Sequence, residues 1–300
     1  MQFGRLTDIS TIDFSLPVDD VHNAGILASA AKQAAKVYVG CPVWADKGFI
    51  GKIYPKGTKA DKYLYHYCQQ FNSIEVNATA YQLPSREGIM KWKEVAPPGF
   101  KYCPKFPQFI THRKDIDKKD AGLDQFFSLM YELGDNLGPS LLQLPPHFGP
   151  RRLEELYRFL EIVPQDFSVA VEVRHPDWFS EANAKEEYFN MLQQLGRIAV
   201  ISDVAGRRDV LHMRLTSPVA FIRFNGDNLV PSDYERTQAW AIRLAEWADA
   251  GLQQLYFFPH EPDKHKAADL SVYFLQEWNK LRGESLPYPN IGKNNGSLFA

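Results

Sequence analysis

The sequence predicts an α/β fold, a single TIM (β/α)8 barrel with an N-terminal extension, and three observations predict it. β-type segments and amphipathic helical segments alternate eight times between residues 37 and 282. That span is about the ~250 residues such a barrel occupies. Seven of the eight β-type segments end in polar or charged residues, at the end where a barrel places its ligand site. A doubly wound open sheet alternates in the same way and is the structural rival.

Each element has its own signal. Residues 1–20 are irregular and read as a wrapping arm, and the alanine-rich stretch 24–36 as a helix, so that 1–36 pack on the barrel from outside. Residues 37–41 form a first strand stopped by Pro42. Residues 60–71 form a helix with Tyr63, Tyr67 and Phe71 on one face. Strand two is 73–79, and a helix over 85–96 shows Ile89, Trp92 and Val95. Strand three is 100–105. The next helix carries Leu123, Phe126, Phe127, Met130, Leu133 and Leu137, with Gly138 as its stop. Strand four, 140–144, ends at Pro145-Pro146, and Leu153, Leu156, Leu160 and Val163 mark the helix behind it. Strand five begins at Ala170 and ends at His175-Pro176. A helix with Tyr188, Leu192 and Leu195 leads to strand six at 198–203. Residues 204–218 have a poor helical pattern. Strand seven is 220–225, and the capping spacing from Ser232 to Glu235 opens a helix running to Ala250. Strand eight (254–258) and a helix over about 266–281 close the series, leaving 283–300 as a tail.

Composition narrows the functional classes. The chain is 45% apolar and 23% charged, ordinary for a globular protein, and 34 basic against 36 acidic residues leave a net charge of −2. That balance disfavours a dedicated nucleic-acid binder. No apolar run approaches the ~18 residues of a membrane span, and residues 1–20 lack the pattern of a signal peptide. Cys41, Cys68 and Cys103 have no CxxC spacing, which fits a reducing cytoplasm.

Alternation assigns faces to the strand ends. Strand two groups Glu75, Asn77 and Thr79. Lys105 ends strand three, Gln143 strand four, and Glu172 and Arg174 strand five. Asp203 ends strand six on the face of Ile201, Arg223 and Asn225 end strand seven, and His260 follows strand eight. Trp44, Tyr81, His175 and Trp178 lie in adjoining loops. The expected site therefore has Glu75, Glu172 and Asp203 as catalytic carboxylates and the other residues, Thr79 apart, as substrate contacts. Trp44 and Trp178 fit packing at least as well, and Glu75, Glu172, Arg174 and Arg223 can also neutralise one another as a structural network.

Several of these segments together resemble the DUF72 (YecE-like) family. They are Val39-Gly40-Cys41 with Trp44, the run from Phe71 to Asn77 with Thr79 and Tyr81, Ile110-Thr111-His112, Gln143-Leu144-Pro145-Pro146, and Glu172-Val173-Arg174-His175-Pro176 with Trp178. The resemblance runs from about residue 37 to about residue 281. It implies a TIM barrel and no established activity. Cys41-Pro42-Val43-Trp44 departs from the Thr-Ser-Gly-Trp usual in the family, Asn225-Gly226 stands where a His-Gly pair is common, and Pro259-His260-Glu261 replaces an Asn-rich end. The N-terminal arm is additional to the common core.

Three functional expectations follow. The first is an enzyme that hydrolyses or isomerises a small polar, carbohydrate-like or anionic substrate, with two carboxylates of separated pKa as acid and base and the arginines on an anion. The second binds a divalent metal (Mg²⁺, Mn²⁺ or Zn²⁺) through Glu75, Glu172, Asp203 and His260 or His175. No HxH or HExxH spacing supports it, and no cofactor is otherwise expected. The third is a non-catalytic barrel that recognises a ligand or partner.

Overall fold

The computed structural model describes residues 3–31 and 33–291. Eight strands, β1 (Lys36–Val39), β2 (Ser73–Val76), β3 (Lys101–Pro104), β4 (Ser140–Gln143), β5 (Val169–Glu172), β6 (Ile198–Asp203), β7 (Val219–Asn225) and β8 (Gln254–His260), pair only in parallel. Ladders join β1-β8-β7-β6-β5-β4, and β2-β3 form a separate pair. Two seams link these sheets. At the first, single bridges join Tyr102 to Leu137 and Lys105 to Leu141. At the second, the Asn72 side chain stands in for a ladder, accepting from Val39 N at 2.9 Å and donating to Val37 O at 2.7 Å. Glycine is required beside this seam, because a Cβ on Gly40 would lie 1.8 Å from Ser73 O. Neighbours thus follow in cyclic order through all eight strands. That is the order of a (β/α)8 barrel; a doubly wound sheet would reverse it.

Ten α-helices occur among the described residues: α1 (Asn23–Ala28), α2 (Tyr63–Cys68), α3 (Arg86–Val95), α4 (Gln108–Thr111), α5 (Ala121–Tyr131), α6 (Leu153–Ile162), α7 (Asp177–Ser180), α8 (Ala182–Gln194), α9 (Pro231–Ala250) and α10 (Ala267–Arg282). The helix expected over 24–36 is only α1. Ile26 and Leu27 are buried, and beyond Ser29 no large apolar side chain precedes β1 to hold a further turn. Strand two ends at Val76 and turns into a 3-10 helix, Asn77–Ala80, because the Thr79 hydroxyl takes over the pairing by accepting from Lys105 N at 2.9 Å. At the start of α9, Asp233 does the capping expected of Ser232. Its Oδ2 accepts from the amides of Asp227, Leu229 and Val230 at 2.9, 3.0 and 3.2 Å. Residues 204–218 hold only a 3-10 turn, as their pattern suggested. The tail is described as far as Ile291, with Leu286 N bonded to Asn279 Oδ1 at 2.9 Å; the rest of the expected 283–300 segment lies outside the described residues.

The apolar interior has separate layers. Two clusters mix strand and helix residues and lie between strands and helices. A third holds Tyr38, Cys103, Leu141, Ala170, Ile198, Val200, Phe221, Tyr256 and Phe258, all from strands, and therefore fills the ring itself. Tyr38 and Tyr256 stack there at 4.7 Å. Cys41, Cys68 and Cys103 are all buried and free.

Candidate functional site

The site sits one pleat above that inner cluster. Moving two residues toward the carboxyl end keeps a strand residue on the same face. Cys103 leads to Lys105, Leu141 to Gln143, Ala170 to Glu172, Val200 to Ser202, Phe221 to Arg223 and Phe258 to His260. The fold thus collects polar side chains from successive strands into one layer at the open end.

These side chains form one connected network. Arg223 lies between two carboxylates, donating from Nε and Nη2 to Glu75 at 2.8 and 2.9 Å and from Nη1 to Glu172 Oε2 at 2.8 Å. Glu172 also accepts from Gln143 Nε2 at 2.5 Å, Arg174 Nε at 3.1 Å and Ser202 Oγ at 3.2 Å. Gln143 in turn accepts from Lys105 Nζ at 2.6 Å. Glu75 accepts from Asn77 Nδ2 at 2.9 Å, and His260 Nε2 lies 3.3 Å from both Glu75 Oε1 and Arg223 Nη2. The chain of contacts starts at Lys105, just past β3, and reaches His260 at the end of β8.

Burial without partners would protonate both carboxylates, and here the partners win. Burial pushes Glu172 up, but the charges of Arg174 and Arg223 hold it down at about 2. Burial acts on Glu75 in the same sense, and Arg223 and His260 hold it well below the usual carboxylate range. Both are therefore ionised at neutral pH, which corrects the expected pair of carboxylates with separated pKa values. Burial lowers His260, so its imidazole is mainly uncharged at neutral pH. Burial, with the nearby charge of Arg223, also brings Lys105 down to about 8. Lys105, Arg174 and Arg223 against two carboxylates leave the layer with a surplus of positive charge below that pH.

Two cavities open onto the network. One of about 350 Å³ touches Arg174, Arg223, Asn225 and His260 and is bounded on the other side by the arm residues Phe3 and Phe14. The other, about 440 Å³, touches Trp44, Asn77, Tyr81, Arg223 and His260. Both are within the size range of small-molecule sites. The structure thus brings Glu75, Asn77, Lys105, Gln143, Glu172, Arg174, Arg223 and His260 together, with Asn225, Trp44 and Tyr81 at the cavity walls.

Three expected residues fall elsewhere. Asp203 turns away from the ring and is buried against α9, bonded to Arg236 Nη2 at 2.7 Å, to Trp240 Nε1 at 2.9 Å and to Arg208. The arginines hold its carboxyl below the usual range despite burial. Its neighbour Ser202 takes the inward place. Trp178 is fully buried and donates from Nε1 to Phe148 O at 2.8 Å, so it is a core residue without access to a ligand. His175 accepts from Asp177 N at 3.2 Å in the loop beyond β5, apart from both cavities. The set proposed for a divalent metal is thereby dispersed, and Arg223 fills the space between Glu75 and Glu172. Among the described residues no three His, Cys, Asp or Glu side chains are grouped to hold a metal ion.

Sequence reasoning missed Ser202, Glu261, Phe3 and Phe14. Ser202 alternates with Val200, and that signal was available. Glu261 borders both cavities, accepts from Asn228 N at 2.6 Å, and is raised to about 8 by burial and the charge of Asp233, so it is mainly a neutral acid at pH 7.

Comparison with known proteins agrees with the fold. The profile described as "Protein of unknown function DUF72" matches residues 38–291. The UPF0759 protein YecE of Escherichia coli (strain K12) is 33% identical over 270 residues, covering 84% of this chain and 94% of that protein. The UPF0759 protein YunF of Bacillus subtilis (strain 168) is 30% identical over 151 residues, covering 48% of this chain and 52% of that one. The crystal structure of a DUF72 family protein from Thermotoga maritima MSB8 superposes with a TM-score of 0.63 at 23% identity, over 83% of this chain and all of that one. One from Enterococcus faecalis V583 gives 0.63 at 16% identity, over 85% and 100% of the two chains. With the match spanning the whole strand–helix series, this chain belongs to the DUF72 family.

Proposed function

We propose that this chain is an enzyme acting on a small polar substrate, carbohydrate-like or anionic, by proton transfer in a hydrolysis or isomerisation at the open end of the barrel. The observation that supports it is the pairing of Arg223 with His260 at the point where both cavities meet the buried carboxylates. An uncharged imidazole can take a proton from a bound substrate, and the guanidinium beside it can stabilise the negative charge that develops. Glu75 and Glu172 stay ionised and hold Arg223 and His260 in place. Lys105, brought down to about 8, remains mainly charged at pH 7 and holds Gln143 against Glu172.

A second reading, a ligand-binding barrel without catalysis, draws support from the satisfied state of the network, in which both carboxylates have charged partners. One experiment separates the two. Sugars, sugar phosphates and small acids are screened for binding and turnover with the wild type and with Glu172→Gln and His260→Gln. The enzyme reading expects the variants to bind the same compound while turnover falls at least a hundredfold. Turnover indifferent to both Glu172→Gln and His260→Gln would sink it. Metal content of the purified protein and its melting shift with chelator test the divalent-metal version separately.

A further inference from the structure

The two cavities differ in chemistry, and they meet at Arg223, His260, Glu261 and Lys264. We propose that the mouth takes a ligand of two parts, an anionic head (phosphate or carboxylate) under the N-terminal arm and a polyhydroxylated ring beside Trp44 and Tyr81. This rests on the reading above that the Arg223 layer faces a ligand, and it adds the ligand's shape and charge.

The arm chamber is cationic. Arg174, Arg223, Arg236 and Lys264 border it, against the acids Asp227 and Glu261, and burial keeps the Glu261 carboxyl mainly neutral. Arg174 donates to Glu172 through Nε alone. Among the described residues its terminal nitrogens meet no acceptor, although the side chain is only 17% exposed. A half-buried guanidinium with free terminal nitrogens at a cavity wall is matched by the paired oxygens of a phosphate or carboxylate. The arm is fastened over it at three points. Phe3 lies 4.2 Å from Arg174 and 4.9 Å from Arg207, Phe14 lies 4.6 Å from Arg236, and Gly206 N donates to Gly4 O at 2.8 Å. Phe3 covers one face of Arg174 and leaves its terminal N–H groups available, whereas those of Arg207 and Arg236 are taken by Asp209, Asp203 and backbone carbonyls. The arm precedes the residues that the family profile matches, 38–291.

The second chamber is lined differently. Trp44 is half-buried and Tyr81 is 76% exposed at its edge. Pro42, Val43 and Ala78 supply apolar wall, and the Asn77 amide points inward toward Glu75. Aromatic faces that receive C–H groups beside an amide that bonds hydroxyls suit a sugar ring.

Calorimetric titration of the full chain with glucose 6-phosphate, glucuronate, glucose and inorganic phosphate tests the assignment. At least one charged sugar binds tenfold or more tighter than glucose and than inorganic phosphate, and the stronger of the two identifies the head. Phe3→Ala weakens that charged sugar and phosphate about tenfold and leaves glucose unchanged; Tyr81→Ala weakens the sugars and spares phosphate. Both positions are peripheral, and circular dichroism verifies that the variants fold. Charged sugars that bind no tighter than either part, or variants that weaken all four probes equally, would overturn the proposal. Calorimetry reads binding alone. Failure here while turnover still depends on Glu172 removes only the two-part ligand, whereas binding as expected with turnover indifferent to Glu172 removes only the enzyme.

Discussion

Replacing Arg223 by Met tests the electrostatic core directly. The residue is 6% exposed and pairs with two buried carboxylates at once. Holding Glu172 at about 2 instead of 4.5 is worth about 3 kcal/mol, at ~1.4 kcal/mol per pH unit. In the wild type that contribution is fully present above pH 4.5 and fades as pH falls toward 2. In Arg223→Met, Glu172 keeps Arg174, Gln143 and Ser202, whereas Glu75 keeps only Asn77 and His260. Glu75 then becomes the poorly compensated charge, its pKa rises above the unfolded value, and the penalty grows as pH rises through it. Urea unfolding followed by circular dichroism should show a loss of ~3–5 kcal/mol at pH 7, the cost of breaking a buried pair, and a smaller loss at pH 5. Adding Glu75→Gln should recover at least half of it. A loss under ~1 kcal/mol at pH 7, or equal losses at pH 5 and pH 8, would refute the reasoning.

Other perturbations separate the site from the scaffold. Asp203→Asn takes the main carboxylate partner from the buried Arg236 and should cost ~3–5 kcal/mol in urea unfolding. Asn72→Ala removes the side chain that joins β1 to β2 and leaves Val39 N and Val37 O unpaired. Unfolding should cost ~1–3 kcal/mol less, with faster hydrogen exchange at Val39. Lys105 falls from 10.5 to about 8 on folding, so the folded state disfavours its proton and stability should rise as pH climbs through 8 toward 10.5. Lys105→Met should abolish that rise in urea titrations, together with any limb near pH 8 in the rate profile of a substrate found by screening.

How much of the site was legible depended on whether each strand's two faces differ. In β5 and β7 the charged ends Glu172, Arg174 and Arg223 alternate with apolar neighbours, so period two placed them correctly. In β6 both faces are apolar, Ile198 and Val200 on one and Ala199 and Ile201 on the other, and nothing local says which faces the ring. Taking the face of Ile201 and Asp203 as the inward one followed from that symmetry. The structure resolves it by longer-range packing, since Ile201 joins the helix-side cluster while Ile198 and Val200 join the strand-only one. The fold depended less on single faces, because eight alternations survive an error at any one of them. Even so, the stretch 24–36 shows that alanine content without large side chains to bury sustains only a short helix.

The arm was illegible for a different reason. Phe3 and Phe14 are fixed by the faces of arginines that lie far along the chain, and such contacts have no period to read. Glu261 was hidden similarly, since its neutral state comes from burial and from Asp233 beside it, and both are set by packing between segments distant in sequence. What the strands show is the part of the site that periodicity builds, the layer from Lys105 to His260. The parts that close over it come from segments without regular structure, and they differ from the layer in being free to vary while the barrel stays intact. If the arm decides which anion is accepted, exchanging its residues should change ligand preference without moving the unfolding midpoint that Arg223 controls.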